Sequence, residues 1–111
     1  MQEIIEANRR TLRENIDQNR LEFFPPPTLD PVITLDRLSY VNRRHPRNKS
    51  VTGFGILRYY VSLQGQIINC DEAVVGRVAT EVWKSATAAE KRDYTNLSNQ
   101  VKALIVSQNR S

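Results

Sequence analysis

Apolar residues recur along this chain at helical spacing, and the character of the pattern changes several times. From residue 2 to residue 22 the stripe is thin: Ile5, Leu12, Ile16 and Phe23 are separated by 7, 4 and 7 positions, which sets them on one side of a helix. The rest of that surface is Asn, Arg and Glu. So narrow a stripe does not hold a helix in water by itself, because helical stability comes mostly from tertiary packing. The segment must dock on something, pair with a copy of itself, or fray. Pro25-Pro26-Pro27 stop it, since proline lacks an amide donor and disfavours helical geometry in the residue before it. Farther on, Asp30-Pro31 suits a helix N-cap and first helical position. Val32, Leu35 and Leu38 would then face a core in a short helix ending near Tyr40, before an extended basic segment over 42–50.

Three stronger helical patterns follow. The first covers residues 51–64, with Phe54, Leu57 and Val61 on one face, Ile56, Tyr60 and Leu63 beside them, and Gly65 as a stop. The second starts at Asp71, a good N-cap, and runs to Lys84; Val75, Val78, Ala79, Val82 and Trp83 form its apolar face. The third opens on Thr87-Ala88-Ala89-Glu90, a capping box in which the threonine hydroxyl accepts from an early amide and the glutamate reaches back to the cap. Its apolar face, Tyr94, Leu97, Val101 and Leu104, is spaced 3, 4 and 3 and is the cleanest periodicity in the chain. The expected fold class is therefore all-α. The core is expected at Phe54, Leu57, Val75, Val82, Trp83, Tyr94, Leu97 and Val101.

Charge sharpens this picture when it is divided along the chain. Residues 1–46 hold seven Arg against seven Asp/Glu, whereas residues 47–111 hold nine Lys/Arg against five, so the whole net charge of +4 lies in the second part. The densest run is Arg43-Arg44-His45-Pro46-Arg47-Asn48-Lys49, with four Arg/Lys, one His and no acid. Read alone, it is a solvated basic linker. Together with the excess in the following helices, it permits nucleic-acid binding.

The chemistry of catalysis is not represented. His45 has no cysteine or second histidine near it, and a metal site needs a cluster of ligands. No serine or cysteine nucleophile is spaced meaningfully from that histidine, and Gly53-Phe54-Gly55 lacks the lysine and spacing of a phosphate loop. No cofactor and no enzymatic activity are expected. Cys70, the single cysteine, forms no internal disulfide, which suits a reducing compartment; it reads as a small semi-apolar residue before a helix. No stretch approaches the roughly 18–20 apolar residues of a membrane span, and MQEIIEANRR has no apolar signal-peptide core. No membrane association is expected.

The run Trp83-Lys84-Ser85-Ala86-Thr87-Ala88-Ala89-Glu90-Lys91-Arg92-Asp93-Tyr94 resembles the signature that joins helices two and three of the HMG-box DNA-binding family. Upstream, Lys49-Ser50-Val51-Thr52-Gly53-Phe54-Gly55-Ile56-Leu57-Arg58-Tyr59 resembles the basic arm and helix-one start of that family. Phe24-Pro25-Pro26-Pro27 ahead of the box is similar to its fungal mating-type-like branch. The resemblance covers residues 43–108. It implies an L-shaped three-helix box, here preceded by a helix and a proline-containing arm over residues 1–42 and followed by a short tail at 109–111. It also implies binding in the minor groove of double-stranded DNA, a nuclear location and a part in transcription or chromatin.

In such a box Phe54 and Trp83 brace the two arms, with Tyr94 below them. The DNA-contacting positions would be Arg43, Arg44, Arg47 and Lys49 in the arm, Thr52, Phe54 and Arg58 at helix one, and Arg77 in helix two. Four positions depart from the family. Thr52 replaces a base-reading asparagine and Gly53 an alanine; Gly55 stands at the wedge that enters a base step, and Gly76 at a groove-contacting serine. The interval from Phe54 to Trp83 is also shorter than in many boxes. These departures imply phosphate binding more than base readout or strong bending. They also leave open a second role, in which a degenerate box serves as a protein-interaction module and the N-terminal stripe pairs with a second copy or a partner protein.

Overall fold

The computed structural model describes residues 2–42 and 51–109, and among these every regular element is a helix. In chain order they are α1 (Gln2–Gln18), α2 (Arg20–Phe23), α3 (Pro31–Asn42), α4 (Gly53–Ile67), α5 (Glu72–Ser85) and α6 (Ala88–Asn109). The basic run 43–50, with its expected extended course, lies outside the described residues, as does the side chain of Ile5.

Each of the later helices begins where a side chain can replace a missing intrahelical acceptor. Thr52 Oγ1 accepts from the Gly55 amide at 2.9 Å and starts α4. Asp71 Oδ1 accepts from the Val74 amide at 3.1 Å and starts α5. At α6 the capping box closes in both directions: the Thr87 amide donates to Glu90 Oε1 at 2.8 Å, and the Glu90 amide donates to Thr87 Oγ1 at 3.1 Å. Asp30 caps α3 in the same manner, through the Val32 amide at 2.8 Å.

The core is continuous from the N-terminal helices to the C-terminal one. Leu12, Ile16, Phe23, Phe24 and Leu35 belong to the same buried cluster as Leu57, Val61, Val75, Val78, Val82, Tyr94, Leu97 and Val101. α4 packs on both α5 and α6, α1 lies against α5 and to a lesser extent α4, and α3 lies along α6. Phe54 and Trp83 are half-buried and pack at the margin of this core rather than in its centre. The molecule extends 51 × 30 × 19 Å. Its radius of gyration of 14.5 Å exceeds the about 13 Å typical of a compact domain of this length.

Three details differ from the sequence pattern. First, the expected single helix over 2–22 breaks at Asn19, which has φ −112° and ψ 33°, so α2 is a separate turn. The break lets the chain bring Phe23 and Phe24 onto α6. There Phe24 meets the Tyr94 ring edge-on at 5.6 Å and the Tyr94 hydroxyl donates to the Phe23 carbonyl. Second, Val32 does not face the core: it is 61% exposed, and Thr34 is buried in its place. The Asp30 cap fixes the register, and the Thr34 hydroxyl is satisfied by donating to the Asp30 carbonyl at 2.9 Å, so burying it leaves no orphaned donor. Third, Gly65 does not stop α4, which runs to Ile67. The stop is Asn69, whose φ of 60° is the left-handed conformation, with the Cys70 amide donating to the Gly65 carbonyl at 2.8 Å. Gly65 instead permits a close approach, for a Cβ there would stand 2.8 Å from Val75 Cγ2.

Candidate nucleic-acid interface

The aromatic brace forms as a chain of edge-on contacts. Phe54, at the start of α4, meets Trp83 near the end of α5 at 6.1 Å between ring centroids, and Trp83 meets Tyr94 of α6 at 6.4 Å. Both distances lie in the favourable range for T-shaped pairs, which add about 0.5–1.5 kcal/mol beyond area burial. The three helices that carry these rings are thereby fixed relative to one another at one point. Burial raises the Tyr94 phenol well above its ordinary range, helped by the neighbouring Tyr60.

Around this brace the expected contact residues are distributed unevenly. Arg43, Arg44, Arg47 and Lys49 fall outside the described residues. Thr52 is exposed, but its hydroxyl oxygen is occupied by the helix cap. Arg58 projects from α4 across to α5, where its Nη2 is 3.3 Å from Glu72 Oε2. Its guanidinium lies against Gly76, where a Cβ would stand 3.5 Å from Nη2 and 3.7 Å from Nε. Arg77 sits on another edge of α5, toward α1, with Nη1 3.7 Å from Glu6 Oε1. The structure therefore joins Phe54, Trp83 and Tyr94, sets Arg58 against Glu72 and Gly76, and places Arg77 in a different set of contacts.

Arg77 belongs to a seam dense with charge. Arg9 reaches Glu81 at 2.8 Å and Glu6 at 3.0 Å, while Arg13 approaches Glu81 at 3.7 Å and donates to Ser85 Oγ at 3.2 Å. The hydrogen bond and positive charge of Arg9 hold the Glu6 carboxyl below its usual range, more strongly than burial raises it. Beneath these pairs Leu12 and Ile16 are fully buried. The Leu12, Ile16 and Phe23 part of the N-terminal stripe is thus covered within the chain, so a dimer through these residues would require their helices to detach.

Two contributors to this region escaped the sequence pattern. Lys91 of α6 places Nζ 5.9 Å from the Trp83 ring centroid, a cation–π distance that adds a positive charge beside the brace. Its position within the Glu90-Lys91-Arg92 run was the available signal, but nothing in that run says which residue faces the indole. Arg20 of α2 reaches Glu90 at 2.6 Å and lies 4.8 Å over the Phe24 ring, linking the N-terminal segment to the start of α6. No spacing could have paired residues so far apart. At Glu90, burial alone would raise the carboxyl, but the Thr87 amide and Arg20 outweigh it and the net shift is downward.

Cys70 is half-buried, and burial together with Asp71 raises its thiol, which disfavours a reactive thiolate. Among the described residues no group of three or more His, Cys, Asp or Glu is placed to hold a metal ion, and no helix is long and apolar enough to cross a membrane. No family model matches the chain, and no curated protein or solved structure is significantly similar to it.

Proposed function

We propose that this chain is a non-enzymatic DNA-binding protein of HMG-box type, engaging the minor groove of double-stranded DNA through the α4–α5 side that carries Phe54, Trp83 and Arg58. The proposal includes an L-shaped arrangement of α4, α5 and α6, a nuclear location and a mating-type-like part in transcription or chromatin. The observation that carries it is the Phe54–Trp83–Tyr94 contact chain, the brace that the family resemblance requires at those positions. It is supported by Lys91 beside that brace, by Arg58 reaching from α4 to Gly76 and Glu72 on α5, and by the location of the net positive charge in residues 47–111.

With Gly55 at the wedge and Gly76 at the groove-facing position, no bulky side chain from either enters a base step. The proposed mode is therefore phosphate-led, with weak base discrimination and modest bending. Four phosphate contacts from the arm and helix one give a salt slope of about −3 to −4 in log affinity against log salt. The test is gel-shift titration of the Arg47→Ala/Lys49→Ala/Arg58→Ala triple variant. The expected result is weaker binding to all duplex sequences alike, and unchanged affinity contradicts the reading.

A second reading, a protein-interaction module without DNA binding, is favoured by one feature. Leu29 and Val32, 60% and 61% exposed, give the start of α3 an apolar outer edge. Full-length protein that binds no duplex at low salt, together with loss of a self-association signal in Leu29→Ser/Val32→Ser, would support it over the first.

A further inference from the structure

The closest described acid to the Arg58 guanidinium is also the group that competes with any phosphate for it. Arg58 Nη2 and Glu72 Oε2 are 3.3 Å apart, and both side chains face solvent, 46% and 80% exposed. The guanidinium lies along the bare backbone of Gly76, one turn beyond Glu72 on α5. From these contacts we infer that Glu72 is a negative determinant of nucleic-acid affinity, acting by occupying Arg58 across Gly76. This rests on the proposed DNA-binding reading and names a residue that regulates it.

An exposed ion pair of this kind contributes little to folding, because water screens it and two long side chains must be ordered to keep it. Stability therefore gives no strong reason for the pair. Its effect on a polyanion is larger. A phosphate approaching Arg58 must displace the carboxylate or accept it as a like-charged neighbour, and such juxtapositions weaken binding. At Gly76 the guanidinium lies against the helix within reach of Glu72, and since a Cβ there would stand an ordinary 3.5 Å from Nη2, the pair does not depend on the glycine. Glu72 also stands in the first turn of α5, where a negative charge favours the helix N-terminus. That structural contribution is independent of Arg58, and the test separates the two.

The experiment measures the affinity of the full chain for a duplex of mixed sequence, at two salt concentrations, in wild type, Glu72→Gln, Arg58→Ala and the double variant. The expected result is that Glu72→Gln binds about 3–10-fold tighter at low salt and steepens the salt slope by up to about 1, since Arg58 then acts as a full counter-charge to phosphate. In the Arg58→Ala background the same substitution should change affinity by less than about 2-fold, so the two sites are coupled. A helix-dipole role alone would lower the melting temperature of both Gln variants equally and leave the slope unchanged. Equal affinity of wild type and Glu72→Gln overturns the inference while leaving the DNA-binding reading intact. An equal gain with and without Arg58 also overturns it, because Glu72 would then act as a general surface charge. If neither wild type nor Glu72→Gln binds duplex, both the reading and the inference fail. Binding by Glu72→Gln alone sustains the inference.

Discussion

Gly65 and Gly76 stand at opposite ends of one problem, how α5 meets its neighbours. At Gly65 the backbone of α4 comes so near α5 that a Cβ would stand 2.8 Å from Val75 Cγ2, with Leu12 of α1 at 3.7 Å. At Gly76 the nearest atoms to such a Cβ belong to the flexible Arg58 side chain, at 3.5 Å or more. The first glycine lies in a closed, fully packed region where α1, α4 and α5 converge on Leu12. The second lies on an open surface where one exposed cation meets one exposed acid. One region is built for packing density and the other leaves room for an incoming group, so substitutions should act differently on the two.

The largest effect is expected from emptying the closed region. Leu12→Ala leaves a cavity beneath α1 and should cost about 2–5 kcal/mol, read as a fall in the denaturation midpoint. A loss under about 0.5 kcal/mol, the size typical of surface substitutions, would mean that α1 is not part of the core. The glycine pair gives the sharpest contrast. Gly65→Ala should destabilise by about 1–3 kcal/mol, because Val75 is short and stiff and cannot withdraw without shifting its helix. Gly76→Ala should stabilise by roughly 0.5–1 kcal/mol, since it meets only ordinary contacts and removes the backbone entropy of a helical glycine. Substitutions with the same sign and size would erase the distinction between the regions.

A smaller effect is expected at the start of α6. The Glu90 carboxyl is depressed in the folded chain, so its stabilising contribution is present above the unfolded value of about 4.3 and is lost as pH falls through the folded one. Glu90→Gln should therefore reduce the difference in melting temperature between pH 7 and pH 3. An unchanged difference would show that Thr87 and Arg20 do not favour the charged form.

How much of this was readable in advance follows from how local each cause is. Asp71, Thr87 with Glu90, and Asp30 with Pro31 act within one turn of their own helices, and their capping bonds form as the sequence pattern implied. Tyr94, Leu97 and Val101 are buried for the same reason, a periodicity of one helix with itself. The position of Gly65 was legible as a glycine near a helix end, but its purpose depends on Val75 and Leu12 arriving from two other helices. Val32 and Thr34 exchanged places because a threonine hydroxyl found a backbone acceptor, which periodicity does not weigh. The partners of Arg9, Arg20 and Arg77 lie far along the chain, so only tertiary structure could pair them with Glu81, Glu90 and Glu6. For the candidate interface, the aromatic brace was foreseen, whereas the separation of Arg58 from Arg77 was not.

That separation gives the most direct test of the central claim, that nucleic acid meets the open α4–α5 surface and not the seam under α1. Duplex affinity is to be measured for Arg58→Ala and Arg77→Ala side by side at low and moderate salt. Arg58→Ala is expected to weaken binding and to lower the magnitude of the salt slope by less than about 1, because Glu72 already shares its charge in wild type, while Arg77→Ala, directed toward Glu6, stays within about 2-fold of wild type, which by the same reasoning means no phosphate contact. A larger loss from Arg77→Ala than from Arg58→Ala would contradict it.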